Sequence, residues 1–154
     1  MSDKTRRLMR LVGIRRIAEE LDRRDLELAV AAVVEVDSAL RATQGSLVEA
    51  AVAARAALGA GERGEWLLAD AQTEVAGWNR GRLGVLRAKR VVAVAPAKEK
   101  FLESRREHEQ VKLLVEGAKQ AERVDEDRRA QMTSDDWFLG RRVREQRERA
   151  KRAG

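Results

Sequence analysis

The stretch Gly59-Ala60-Gly61-Glu62-Arg63-Gly64 decides how this chain folds. Three glycines within six residues end a helix and favour a turn, because glycine adopts the left-handed backbone conformation without steric cost. The stretch also matches the spacing G-x-G-x-x-G of dinucleotide-binding loops. Such loops follow a buried strand, however, whereas an alanine-rich helical pattern precedes this one. We therefore predict a hairpin turn at 59–64.

Residues 1–58, before the turn, are predicted to form a first long helix. They contain no proline, and no alternation of apolar and polar residues persists long enough to indicate a strand. An apolar stripe with a mean spacing of about 3.67 residues, close to an eleven-residue repeat, is predicted to face the second helix. Its members are Ile14, Ile17, Leu21, Leu28, Ala32, Val36, Leu40, Leu47, Ala51, Ala54 and Leu58.

Residues 65–132, after the turn, are predicted to form a second long helix that is kinked near Pro96, because proline removes a backbone donor and clashes with the preceding turn. A new helix start is predicted at Thr133-Ser134-Asp135-Asp136, whose side chains can cap a helix. Residues 133–154 would then form a basic C-terminal helix or tail. The apolar pattern of the second helix runs through Trp66, Leu67, Ala71, Val75, Trp78, Leu83 and Leu86.

A short turn places the two helices antiparallel. If the turn is centred between Gly61 and Glu62, facing residues have numbers that add to about 123, so that Trp78 lies opposite Gly45 and Trp66 opposite Ala57. The predicted fold is all-α, an elongated antiparallel two-helix coiled-coil hairpin with a short C-terminal helix or tail. Three glycines near one face of the second helix are predicted to pack closely on the first helix, or else to soften it into a hinge. They are Gly77, Gly81 and Gly84.

The composition excludes several classes of protein. Among 154 residues, 38% are charged, only 3% are aromatic, and there are one proline, one histidine and no cysteine. An all-β fold, a disulfide framework and a cysteine-based zinc site are therefore excluded. The single histidine, His108, is expected at the surface. We expect no catalytic, cofactor-binding or metal site, because two helices alone offer no cleft.

The N-terminus of the chain and its apolar runs bear on localisation. The N-terminus leads into charged residues rather than an apolar signal sequence. The longest uninterrupted apolar run, Leu28–Val34, is much shorter than the ~20 residues that span a bilayer. A soluble, cytoplasmic protein is expected.

Two segments and several single residues are candidates for contacting a binding partner. The segment Arg80–Lys100 contains seven basic residues and one acidic residue, but it lacks the interleaved aromatic residues of nucleic-acid modules, so a solvated or protein-binding face is favoured. The segment Asp135–Leu139 places three bulky apolar residues where no partner helix is predicted. It either folds back onto the hairpin or anchors another protein. The candidates are Arg6, Arg7, Arg10, Trp78, Arg80, Arg82, Arg87, Trp137, Phe138 and Leu139.

The plan of the whole chain resembles a known family. A basic N-terminus, Thr5-Arg6-Arg7-Leu8-Met9-Arg10-Leu11, is followed by a long helix, a short turn and a longer second helix. The segment Lys119-Gln120-Ala121-Glu122-Arg123-Val124-Asp125-Glu126 is similar to a charged segment ending in Asp-Glu. These features resemble the FliJ family of bacterial flagellar type III export, which is related to the YscO-like stalk proteins of injectisomes.

The resemblance implies an antiparallel coiled coil similar to the γ stalk of rotary ATPases, without an active site or cofactor. Its terminal end would enter a hexameric export ATPase. It would also contact the cytosolic domain of the export-gate membrane protein and escort export chaperones. The protein would then lie at the inner face of the cytoplasmic membrane, reaching the membrane only through partners and binding no nucleic acid. Two alternatives remain, a basic coiled coil that binds nucleic acid or the ribosome, and an oligomerising scaffold.

Overall fold

The structure, a computed structural model, describes residues 1–154, of which 97% are helical. Helix α1 spans Asp3–Ala60 and helix α2 spans Arg63–Ala153. The two helices pack against each other and there is no strand, so the predicted all-α two-helix hairpin is confirmed. Neither helix contains a stretch that is long and apolar enough to cross a membrane.

The chain divides into two compact units. The hairpin unit is Ile17–Arg105 and contains the turn between the helices. The terminal unit consists of Met1–Arg16 together with Arg106–Gly154, and contains both chain ends.

The turn is tighter than predicted, because only Gly61 and Glu62 lie between the helices. Gly61 has a φ of 71°, and its N–H donates to the carbonyl of Leu58 at 3.3 Å. The N–H of Glu62 donates to the carbonyl of Ala57 at 2.9 Å. This pair of bonds is a Schellman motif, which ends a helix on a left-handed glycine. The carbonyl of Glu62 then accepts the N–H of Trp66 at 3.1 Å, and α2 begins.

The start of α1 is capped by Ser2. The Ser2 hydroxyl oxygen accepts the N–H of Thr5 at 3.2 Å, and the Ser2 carbonyl accepts the N–H of Arg6 at 3.1 Å. Serine at this position satisfies a backbone donor that would otherwise have no partner in the first turn. The negative charge of Asp3 also suits the positive end of the helix dipole.

α2 is one continuous helix through both positions where a disturbance was predicted. It is not interrupted at Pro96, and a bend there stays a prediction. The carbonyl that Pro96 leaves without its usual donor belongs to Val92, which is 72% exposed, so water can reach that side of the helix. The predicted break at 133–136 is wrong. The Thr133 hydroxyl donates to the carbonyl of Arg129 at 2.9 Å, within the helix, instead of capping a new one.

The predicted antiparallel register is confirmed by polar contacts between the helices. In each of three such contacts the residue numbers add to between 122 and 124, against the predicted value of about 123. Counting outward from a tight turn therefore placed the facing residues correctly, because both helices advance by the same rise per residue. The pairs are Asp37 with Arg87, Ala32 with Arg90, and Ser2 with Glu122.

The predicted rotation of α1 is wrong over much of its length. Its buried apolar residues are Val36, Ala50 and Ala57, which are separated by multiples of seven residues. A strict heptad replaces the predicted eleven-residue repeat, and heptads are the spacing of left-handed coiled coils. Of the predicted stripe, Val36 is buried, and Leu40, Leu47 and Ala54 are partly buried. The exposed members of the predicted stripe are Ile14, Ile17, Leu21, Leu28, Ala51 and Leu58.

The heptad repeat itself explains this exposure. Continued toward the N-terminus from Ala57, it brings residues 15, 22 and 29 toward α2. Ile14, Leu21 and Leu28 each precede one of these positions by one residue, so they are rotated by about 100° around the helix.

The buried residues of α2 follow the same heptad spacing. Ala69, Ala76 and Val111 are buried and are separated by multiples of seven residues. We call Val36, Ala50 and Ala57 of α1 with Ala69 and Ala76 of α2 the inner seam of the hairpin unit. Four of these five residues are alanine, whose small side chain permits two helices to approach closely.

Candidate partner-binding surfaces

The basic segment Arg80–Lys100 is partly neutralised by α1. Arg87 Nε lies 2.5 Å from Asp37 Oδ1, and this hydrogen bond lowers the pKa of Asp37 and raises the pKa of Arg87. Two further cations of the segment also reach α1, which leaves Arg80, Arg82, Lys89 and Lys98 without an ion pair in the chain. The further contacts are Arg90 with Glu35 at 3.2 Å and with the Ala32 carbonyl at 2.9 Å, and Lys100 with Asp22 at 3.8 Å.

Trp78 faces solvent rather than α1. Its side chain is 66% exposed, and the guanidinium carbon of Arg82 lies 5.2 Å from the ring centroid. The predicted packing of Trp78 on Gly45 is wrong, because a Cβ at Gly45 would meet no atom within 4 Å. Trp66, by contrast, is half-buried, and it lines a small cavity beside the turn together with Ala57, as the register predicted.

The three glycines of α2 do not pack against α1. A Cβ added at Gly77, Gly81 or Gly84 would meet no atom within 4 Å, so the predicted close packing is wrong. Each lies away from the seam positions Ala76 and Leu83, and a methyl group would fit at all three. A hinge at these glycines stays a prediction.

α2 carries a second regular stripe on the face opposite the inner seam. We call it the outer stripe, and its members follow one another at alternating steps of three and four residues. The five large apolar members are 60–72% exposed. The predicted apolar pattern placed Val75 and Trp78 on the face toward α1 and did not include this stripe, although its alternating spacing from Leu68 to Val92 is present in the sequence. The outer stripe consists of Leu68, Ala71, Val75, Trp78, Arg82, Val85, Lys89 and Val92.

In the terminal unit, the start of α1 is held to α2 through Glu122. The N–H of Ser2 donates to Glu122 Oε1 at 2.8 Å, and the Thr5 hydroxyl donates to the same oxygen at 2.5 Å. Thr5 is fully buried. The hydrogen bonds from Ser2 and Thr5 lower the pKa of Glu122 to about 2. Glu122 belongs to the segment 119–126 that carries the family resemblance.

The basic N-terminal candidates differ in their contacts. Arg6 lies 3.5 Å from Asp3 on its own helix. Arg7 and Arg10 are exposed and make no ion pair. Farther along the same helix, Arg15 forms an ion pair with Glu107 of α2. Two cations at the start of α1 are therefore available to a partner.

His108 is buried, and its predicted surface position is wrong. It is 6% exposed and precedes the buried Val115 by seven residues, so the heptad brings it to the face toward α1. The residues around it in sequence are charged, and this local polarity concealed its place in the repeat.

Beyond Glu122, α2 continues for about thirty residues with no α1 opposite, because α1 begins at Asp3. Trp137, Phe138 and Leu139 lie on this overhang and are 54–60% exposed, so the predicted folding back is wrong. The Trp137 and Phe138 rings meet edge to face, with centroids 5.2 Å apart, and Arg141 lies 5.6 Å from the Trp137 ring centroid. A groove here is lined by Asp135, Phe138, Leu139, Arg141, Arg142 and Glu145.

No family model, curated protein or solved structure matches the chain. The molecule presents three surfaces suited to binding other macromolecules: the N-terminal cations, the outer stripe and the aromatic cluster on the overhang.

Proposed function

We propose that this chain is a non-enzymatic coiled-coil stalk of a bacterial flagellar type III export apparatus. In this role it links the hexameric export ATPase to the cytosolic domain of the export-gate membrane protein and escorts export chaperones. ATP is hydrolysed by the ATPase, and the stalk couples that hydrolysis to export. The stalk lies in the cytoplasm, beside the inner face of the cytoplasmic membrane.

The overhang of α2 is the observation that carries this proposal. A single helix that extends past its hairpin partner is narrower than a two-helix element, and all of its faces are open to a partner. The overhang presents Trp137, Phe138 and Leu139 to solvent, and Arg141 and Arg142 follow directly. Exposed tryptophan beside arginine is the composition of strong binding positions in protein interfaces.

The hairpin unit supports a second binding partner. Its cations Arg80 and Lys98 are exposed and make no ion pair in the chain. A stalk needs distinct surfaces for the ATPase and for the export gate or chaperones. The family resemblance suggests the identities of these partners, and the aromatic cluster and the hairpin-unit cations are the surfaces proposed for them.

The experiment measures binding to a hexameric flagellar export ATPase and its rate of ATP hydrolysis. Trp137→Ala should weaken binding by about tenfold or more, because an anchoring tryptophan contributes ~2 kcal/mol. Trp78→Ala is the matched control, since Trp78 is also exposed and also has an arginine over its ring, but lies in the hairpin unit. Both variants should keep the helix content of the wild type by circular dichroism.

Two results would count against the stalk. The first is a wild-type chain that neither binds the ATPase nor changes its turnover. The second is equal weakening by Trp137→Ala and Trp78→Ala. Loss of helicity in Trp137→Ala alone would assign Trp137 to the fold instead.

Nucleic-acid or ribosome binding is the second candidate, favoured by the seven basic and two acidic residues of 141–154, all exposed. This candidate predicts an affinity for RNA or DNA that falls steeply as salt rises, since each neutralised phosphate releases counterions. A salt series with duplex DNA and structured RNA tests it. Absent or salt-independent binding would remove it.

A further inference from the structure

The outer stripe of α2 has the spacing of a second coiled-coil seam. From Leu68 to Val92 its eight positions alternate steps of three and four residues, all within the hairpin unit. α1 packs against the opposite face of α2, where Ala69 and Ala76 are buried. A further helix could therefore lie along the stripe without displacing α1.

The stripe is complementary to itself when two copies run antiparallel. Antiparallel coiled coils pair positions whose numbers add to a constant, and here a constant of 160 pairs every member with another member. Leu68 then lies at the level of Val92 of the second copy, and Val75 at the level of Val85 of the second copy. The twofold axis passes near residue 80.

The cations within the stripe favour the antiparallel arrangement over the parallel one. In an antiparallel pair, Arg82 lies at the level of Trp78 of the second copy, where its guanidinium can stack on the indole ring. Within one chain Arg82 already stacks on its own Trp78, which shows that the two side chains fit. A parallel pair would instead place Arg82 on Arg82 and Lys89 on Lys89, and like charges facing each other repel.

Glu74, beside the outer stripe, and Lys89, within it, support the same arrangement. Glu74 and Lys89 are exposed, and neither makes an ion pair within the chain. In the antiparallel pair, Lys89 of one copy lies at the level of Ala71 of the second copy. Glu74 of the second copy is three residues from that Ala71. A lysine side chain can span one helical turn, so each pair of copies would gain two ion pairs between Glu74 and Lys89.

We propose that two copies of this chain associate through the outer stripe of α2, antiparallel, about a twofold axis near residue 80. The four apolar layers of the pair stabilise the dimer. The Trp78–Arg82 and Glu74–Lys89 contacts determine the antiparallel orientation and the register of the two copies. This inference does not depend on the stalk function, because it concerns only the hairpin unit and a second copy of the same chain.

Sedimentation equilibrium of the full chain over a series of concentrations tests the association. Val85→Glu should weaken it by roughly tenfold or more, because each copy would place a carboxylate in an apolar layer. Val52→Glu is the matched control, since Val52 and Val85 are both 60% exposed but Val52 lies on α1. The control should associate like the wild type.

A charge exchange tests direction and register. Lys89→Glu and Glu74→Lys should each weaken the dimer by about fivefold, and the double variant should restore it. Restoration is expected only in the antiparallel pair, because in a parallel pair Glu74 and Lys89 lie about 22 Å apart along the helix. These surface substitutions leave the inner seam intact, so they remain informative even if Val85→Glu disturbs the helix.

Three outcomes would overturn the proposal. One is a wild-type chain that stays monomeric up to about millimolar concentration, even if an acidic helical peptide binds the stripe. Another is equal weakening by Val85→Glu and Val52→Glu. The last is a double charge exchange that associates no better than its parent single variants.

Discussion

The inner seam and the outer stripe of the hairpin unit lie on opposite faces of α2 and differ in composition. The inner seam buries Ala50, Ala57, Ala69 and Ala76, whereas the outer stripe exposes leucine, valines and Trp78. Apart from Val36, the buried residues of this unit are thus alanines, and its larger apolar side chains are at most partly buried. Burial here does not follow the size of the apolar side chain.

The difference has an energetic consequence. An alanine side chain buries little apolar area, and burial contributes only about 25 cal/mol per Å². The hairpin unit therefore depends heavily on helix propensity and on contacts between the helices such as Arg87 with Asp37. Anything that covers the outer stripe would add apolar burial and stabilise the unit by linkage.

The largest expected effect comes from placing a charge in the inner seam. Ala50→Glu should lower the free energy of unfolding by about 3 kcal/mol, because it buries an unpaired carboxylate and overfills a tight contact. Val52→Glu, two residues away and exposed, should change it by less than about 0.5 kcal/mol. Urea unfolding at low protein concentration measures both. Equal effects would show that α1 is rotated differently.

The turn that sets the register is the next test. Gly61→Ala should lower the free energy of unfolding by about 1–2 kcal/mol, because φ at this position is 71° and a Cβ opposes that conformation. Gly64→Ala should instead raise it by about 0.4–1 kcal/mol, since Gly64 is helical and its Cβ would meet no atom. Thermal unfolding followed by circular dichroism compares the two. A neutral Gly61→Ala would contradict the Schellman motif.

A weaker effect is expected where the chain ends meet. The pKa of Glu122 is about 2 in the folded chain, against an ordinary value of 4.5. A carboxyl group with a lowered pKa stabilises the fold fully above its unfolded pKa, and this contribution is lost as the pH falls toward 2. Amides at the start of α1 should therefore lose hydrogen-exchange protection as the pH falls from 4.5 toward 2.

The control for this pH effect is Glu122→Gln, which cannot titrate. The variant should show lower protection at neutral pH and no step between pH 4.5 and 2, after correction for intrinsic exchange rates. The same step in wild type and variant would show that another group is responsible.

The smallest effect concerns a single surface ion pair. Arg87→Gln should raise the pKa of Asp37 toward its ordinary value of 3.8, because the hydrogen bond that lowers it is lost. Arg80→Gln should leave the pKa of Asp37 unchanged, since Arg80 makes no ion pair. Carboxyl chemical shifts followed by NMR through the acid range distinguish the two variants. An unshifted titration in Arg87→Gln would contradict the register contact.

Much of the fold was predictable because its signals are local. Three glycines located the turn, and the short turn implied antiparallel helices. Counting from the turn then placed Asp37 beside Arg87 and Ser2 beside Glu122. The signal at Thr133–Asp136 was also local but misleading. A cap requires the chain to leave the helix, and Thr133 bonds to the preceding turn instead.

The candidate surfaces were predictable only in part. The aromatic cluster at 137–139 was recognisable because its bulky apolar residues occur in a part of the second helix that has no first helix opposite it. The outer stripe was missed, and His108 and the glycines of α2 were misplaced. All of these errors have one origin, since each depends on which face of a helix turns toward the other.

The sequence by itself therefore determined the two helices, the turn between them and the antiparallel register, that is, which residues of α1 lie beside which residues of α2. Only the tertiary structure decided the rotation of each helix, and with it which apolar stripe is buried. The physical reason is that the position of a residue along the helix axis follows from counting residues outward from the turn. The rotation of each helix about its axis depends instead on how the two helices pack together. In an alanine-rich pair, several rotations bring apolar residues together, and the one adopted buries Ala50, Ala57, Ala69 and Ala76.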